Sequence, residues 1–121
     1  MRYILLINSD HEAMARVTPE ESEKYAAEYA TFTQAIVESG EFVAGDPLEG
    51  VDTATTVRLR GGEPVATDGP FTETKEYLCG YYVVDCADLD RAVELAGRIP
   101  GVELGSVEVR PLRPFTAPET T

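Results

Sequence analysis

The chain has 121 residues, which suits one domain with its own core and leaves no room for two ordinary ones. Its 43% hydrophobic and 26% charged residues are the composition of an ordinary globule, not of a disordered chain. A formal net charge of -12 repels a phosphate backbone, so nucleic acid is not an expected partner.

Tyr3–Ile7 is continuously apolar and predicts a strand covered on both faces. The run is too short for a signal sequence or a membrane span, so a cytoplasmic protein without membrane contact is expected. Asn8–Val17 reads as a polar loop holding the one histidine, His11. Thr18-Pro19-Glu20-Glu21 then starts a helix: Thr18 caps, Pro19 suits the first turn and Glu21 completes a capping box. Tyr25, Tyr29, Phe32 and Ile36 recur at helical spacing as one apolar stripe, and Gly40 ends the helix.

Glu41–Gly45 predicts a short strand, followed by a turn at Asp46–Gly50. Thr53–Arg60 alternates, and Gly61-Gly62 turns the chain back into Pro64–Thr67, which makes a hairpin. Asp68-Gly69-Pro70-Phe71 is a further turn, in which Phe71 is expected to anchor the loop apolarly. Leu78–Cys86 predicts a long strand. Asp88 caps a second helix with the stripe Leu89, Ala92, Val93, Ala96 and Ile99, stopped by Pro100-Gly101. Ser106–Val109 is the last strand. Residues 1–112 form the expected domain and 113–121 a flexible tail.

The two cysteines, Cys79 and Cys86, would lie roughly 23 Å apart along one strand and point to opposite faces, which argues against a disulfide between them. The order is βαβββαβ with an extra hairpin, an α+β, ferredoxin-like pattern. Its two helices cover one face of the sheet. The first strand and the Leu78–Val84 strand look apolar on both faces, so a second copy of the chain is the expected cover.

Asp68-Gly69-Pro70-Phe71-Thr72-Glu73-Thr74-Lys75-Glu76 resembles the signature of the DGPF/YCII-related family, differing only at Thr72. Tyr3–Ile7, Thr18–Glu21, Ala54–Arg58, Gly80–Tyr82, Ala96–Pro100 and Gly105–Pro111 also resemble family blocks, in the same order. The resemblance implies a dimeric α+β barrel in which two sheets pack face to face. It also implies a regulatory setting near sigma factors of the extracytoplasmic-function type. Related proteins carry a proposed His-Asp pair with the histidine early in the first helix. Here that stretch is Glu21-Ser22-Glu23-Lys24-Tyr25, without a histidine.

His11 and Asp68 are the candidate catalytic residues, His11 because an imidazole titrates near neutrality and Asp68 because its turn can present it to a pocket. Pro70, Phe71 and Lys75 are ligand-binding candidates on the same segment, with Glu73 and Glu76 as nearby charges. Arg58 can pair a carboxylate or phosphate bidentately, or guard a sheet edge. Tyr81 and Tyr82 point to opposite faces of the sheet, and Tyr81 is the ligand-binding candidate. One histidine and two distant cysteines make no metal site, and no cofactor is expected. The leading functional expectation is a small-molecule-binding or regulatory homodimer without catalysis. Its alternatives are a cleft enzyme doing general acid–base chemistry on a small, possibly aromatic, substrate, and an acidic module that meets a sigma-factor-linked protein.

Overall fold

A computed structural model describes residues 1–72 and 74–115. The elements are β1 (Arg2–Asp10), α1 (His11–Ala15), α2 (Pro19–Glu38), β2 (Phe42–Pro47), β3 (Thr55–Arg60), β4 (Glu63–Asp68), β5 (Glu76–Asp85), α3 (Leu89–Gly97) and β6 (Gly105–Pro111). Short 3₁₀ turns occupy Val51–Thr53 and Pro100–Leu104. The main sheet has the order β2-β5-β1-β6 with every neighbour antiparallel. That is the ferredoxin-like frame, into which the β3–β4 hairpin is inserted as a separate two-stranded ribbon.

Local chemistry explains the boundaries. Thr18 and Glu21 form both bonds of the capping box at the start of α2. The ribbon turns through Gly61 and Gly62 at φ of 57° and 83°, the doubly left-handed turn that matches strand twist and requires glycine. The core lies between the sheet and α2 and α3. Tyr3, Leu5 and Ile7 of β1 and Tyr82 and Val84 of β5 meet Phe32, Ile36, Ala92, Leu95 and Ile99 there.

Three expectations change. Asn8–Val17 is not a loop: β1 runs on to Asp10, and Asp10 accepts a hydrogen bond from the Ala13 N–H to cap a short helix beginning at His11. The buried stripe of α3 is Ala92, Leu95, Ala96 and then Ile99, whereas Leu89 and Val93 face water. The cysteines do not take opposite faces. Ile7 pairs with Gly80 and Asn8 with Leu78, so Cys79 is an extra residue in β5, and this bulge turns it toward the core side with Cys86. Both thiols are free.

Among the described residues, no helix covers the second face of the sheet. Ile4, Leu6, Val83 and Tyr81 lie there on neighbouring strands, with Leu78 exposed beside them. On the ribbon, Val57 pairs with Ala66 and Leu59 with Pro64, so the outer part of one side is apolar, with Thr55 and Asp68 at its base. Leu59 is 73% exposed. No helix of the described residues is long and apolar enough to cross a membrane. Of the expected tail, residues 113–115 carry no regular structure and 116–121 lie outside the described residues.

Candidate functional site

The helix that covers the sheet stands away from it at one end. On α2, Ser22, Ala26, Ala30 and Thr33 recur on the face turned to the sheet, and side chains this small cannot fill the space. A cavity of about 760 Å³ results, closed below by Ile7, Gly45, Gly80 and Tyr82 of the sheet. Gly45 is required, since a Cβ there would lie 2.6 Å from the Tyr82 ring.

The polar groups of this cavity are few and local. Cys79 Sγ lies 3.1 Å from Ser9 Oγ and 3.3 Å from the Ile7 carbonyl oxygen, to which it donates. Ser9 is the one buried polar residue of the described chain, 6% exposed. Tyr82 Oη and Thr33 Oγ1 share a hydrogen bond of 2.7 Å. Tyr29 Oη accepts a bond from the Gly101 N–H at 3.1 Å. Burial, with Cys79 nearby as a smaller cause, pushes the Tyr29 phenol up to about 12. Tyr29 is therefore a neutral hydroxyl at physiological pH. Among the described residues no group of histidines, cysteines and carboxylates could hold a metal.

Of the residues singled out in the sequence, Tyr81 borders this cavity and His11, Asp68, Arg58, Pro70, Phe71 and Lys75 lie elsewhere. His11 is exposed at the start of α1, its ring edge-on to Tyr77 at 6.0 Å and its N–H bonded to the Lys75 carbonyl. Lys75 reaches Asp10 at 3.5 Å. The hydrogen bond from the Ala13 N–H holds the Asp10 carboxyl below the usual range, and Lys75 adds to the effect against the cost of desolvation. Asp68 ends β4, opposite Thr55, and no described contact joins it to His11. Pro70 is half-buried.

Phe71 is 72% exposed and so does not anchor its loop apolarly. It lies instead under the Arg58 guanidinium, whose carbon is 5.3 Å from the ring centroid. The structure thus brings Arg58 and Phe71 together on the outside of the ribbon, apart from the cavity. Tyr81 and Tyr82 do alternate across the sheet. Tyr82 faces the helices, while the Tyr81 hydroxyl donates to Asp46 at 2.9 Å on the uncovered side. Glu73, expected beside Lys75, lies outside the described residues.

Tyr25 and Tyr29, expected in a packed stripe, border the cavity, and Ser9, Thr33 and Cys79 join them without a motif that marks them. The small-residue spacing on α2 was the available signal for a gap. The bulge that aims Cys79 has no local sequence mark.

Comparison with known proteins agrees with this architecture. The family model described as the YCII-related domain matches residues 1–116. An uncharacterised protein of Rhizobium meliloti (strain 1021) is 36% identical over 114 residues, which is 93% of this chain and 92% of that one. Among solved structures, 5-chloro-2-hydroxyhydroquinone dehydrochlorinase from Burkholderia phenoliruptrix AC1100, in complex with 2,5-dihydroxybenzoquinone, superposes with a TM-score of 0.52. It covers 93% of this chain and 94% of its own, at 13% identity, a likeness of fold.

Proposed function

The chain belongs to the YCII-related family, and on that premise we propose that it binds a small organic molecule in the cavity between α2 and the sheet, and that it works as a homodimer. One observation carries the binding reading. A cavity of about 760 Å³ has walls largely apolar and aromatic, with a small set of hydroxyls and one thiol gathered at Ser9, Cys79, Thr33 and Tyr29. Ligand sites have that size and that division between an apolar body and a few orienting polar groups.

The homodimer rests on the uncovered apolar face of Ile4, Leu6, Tyr81 and Val83 and on the apolar side of the ribbon. A patch of that extent favours burial against a matching surface, and a second copy supplies one by symmetry. The two free thiols fit a reducing compartment such as the cytoplasm.

A second reading is an enzyme working in the same cavity. Its support is that a protein of the same fold is a dehydrochlorinase with a quinone bound. His11 and Asp68 would then serve as acid–base groups only through a movement that brings them to the cavity. Tyr81 would contribute to the cavity wall, and Arg58, Pro70, Phe71 and Lys75 would act as an outer ligand surface.

The test is crystallisation of the full chain with a mixture of small aromatic and aliphatic metabolites, beside the same experiment on Ala30→Trp, which fills the space. Density in the cavity of the parent chain and none in the variant is expected. Density confined to the Arg58–Phe71 surface, or none in either protein, rejects the cavity as the site. Turnover of a bound phenol, followed by mass spectrometry, would favour the enzyme over the binding protein.

A further inference from the structure

The cavity has an electrostatic sign. Among the described residues that line it, none is Lys, Arg or His, and the one with a full charge is Asp46 on the edge strand, whose carboxylate is bonded to Tyr81 on the other face of the sheet. Its rim is acidic. Tyr25 lines the wall and donates its hydroxyl to Glu103 at 3.2 Å on the surface. Partial burial is the largest cause that raises the pKa of that phenol, and Glu103, Glu21 and Glu28 add to it. Of the two cations there, Lys24 is taken up by Glu28 at 3.8 Å and Arg98 lies over the Phe32 ring at 5.8 Å. The whole chain adds its net charge of -12.

An anion entering this cavity would lose hydration and meet no countercharge. A cation would be drawn to the rim, because low-dielectric walls focus the field of the surrounding carboxylates. Its charge would remain there, since full burial without a paired carboxylate is unfavourable. The interior offers the rings of Tyr29 and Tyr82 to an apolar body, and aromatic faces attract ammonium groups as well.

We infer that the cavity selects by charge: it takes a molecule with a ring-sized apolar body and a protonated amine, the body against Tyr29 and Tyr82 and the amine at the Tyr25–Glu103 rim, and it turns away carboxylates of the same shape. This rests on the cavity being the binding site, as proposed above.

Three probes of one skeleton test it by isothermal titration calorimetry on the full chain: 4-phenylbutylamine, 4-phenylbutan-1-ol and 4-phenylbutyrate. The expected order of affinity is amine, alcohol, carboxylate, with the amine and the carboxylate separated by about tenfold, as a rim of several like charges requires. Glu103→Gln should weaken the amine by about threefold and leave the alcohol unchanged. Glu63→Gln, a neutralisation at the far tip of the ribbon, should move neither. Equal binding of amine and alcohol, or tighter binding of the carboxylate, overturns the charge selection while leaving the cavity as a site. Binding of none of the three, or binding that Ala30→Trp does not abolish, overturns the cavity reading and this inference with it.

Discussion

Cys79 Sγ lies 3.1 Å from Ser9 Oγ because β5 carries one residue more than the stretch of β1 opposite it. Without the bulge, strict alternation would send residue 79 to the uncovered face. The pair therefore reports a backbone irregularity through a side-chain contact, and it can be tested as a pair. Cys79→Ala leaves the buried Ser9 hydroxyl without its partner and should destabilise the fold by about 1–2 kcal/mol. Ser9→Ala should cost a similar amount, and the double variant should cost less than the sum by about 1 kcal/mol. Urea unfolding of the four proteins measures this. Strict additivity would mean that the two groups are not coupled.

Tyr29 gives a prediction in alkaline solution. Its folded pKa of about 12 lies above the ordinary phenol value of 10.0, chiefly through burial. The unfolded chain then loses this proton first as pH rises, so the unfolded state gains relative to the native one. The contribution is fully present below pH 10.0 and is lost as pH climbs through about 12. Absorbance titration of the phenols should show a late-ionising tyrosine that disappears in Tyr29→Phe. A variant with the same late phase would assign it to another residue.

The two sides of α3 should respond very differently to truncation. Leu95 is fully buried, and Leu95→Ala should destabilise by roughly 2–5 kcal/mol. Leu89 and Val93 are exposed, and either changed to Ala should stay within about 0.5 kcal/mol. Chemical denaturation with a common slope decides it. Comparable losses at Leu89 and Leu95 would contradict the orientation of the helix.

How much of this was legible in advance varied with the range of the interaction that sets each feature. The capping box needs only Thr18 and Glu21 three residues apart, and both of its bonds form. The Gly61-Gly62 turn is equally local, as is the alternation that separates Tyr81 from Tyr82. The helix at His11 was missed because five residues are too few to show a period, although Asp10 is an ordinary cap. Leu89 and Val93, four residues apart, share one face of α3, and helical spacing alone does not tell that face from the adjoining one of Ala92, Leu95 and Ala96 that meets the sheet. The cavity was missed for a deeper reason. Tyr25 and Tyr29 have the spacing of core residues, and only the position of the sheet shows that the small residues beside them face a gap.

The uncovered sheet face predicts self-association. Sedimentation velocity should give a species of twice the chain mass, and Leu6→Lys should shift it to a single chain while leaving the circular dichroism unchanged. Leu6 is chosen because its side chain sits among Ile4, Tyr81 and Val83 and takes no part in the core. Leu59→Lys asks the same of the ribbon. A parent chain that stays single at high concentration would reject the pairing.

The ladder between β1 and β5 runs from Arg2 opposite Asp85 to Asp10 opposite Glu76, and it omits position 79 alone on the β5 strand. A chain shortened by that single residue could pair Leu78 and Gly80 with the same neighbours in unbroken register. Pairing with β1 thus makes no demand for a residue at this point, while on the β2 side its carbonyl accepts the Leu48 N–H at 2.9 Å. What the surplus residue adds is a sulfur at the floor of an otherwise smooth hollow, and its contribution is to be sought in the hollow's contents.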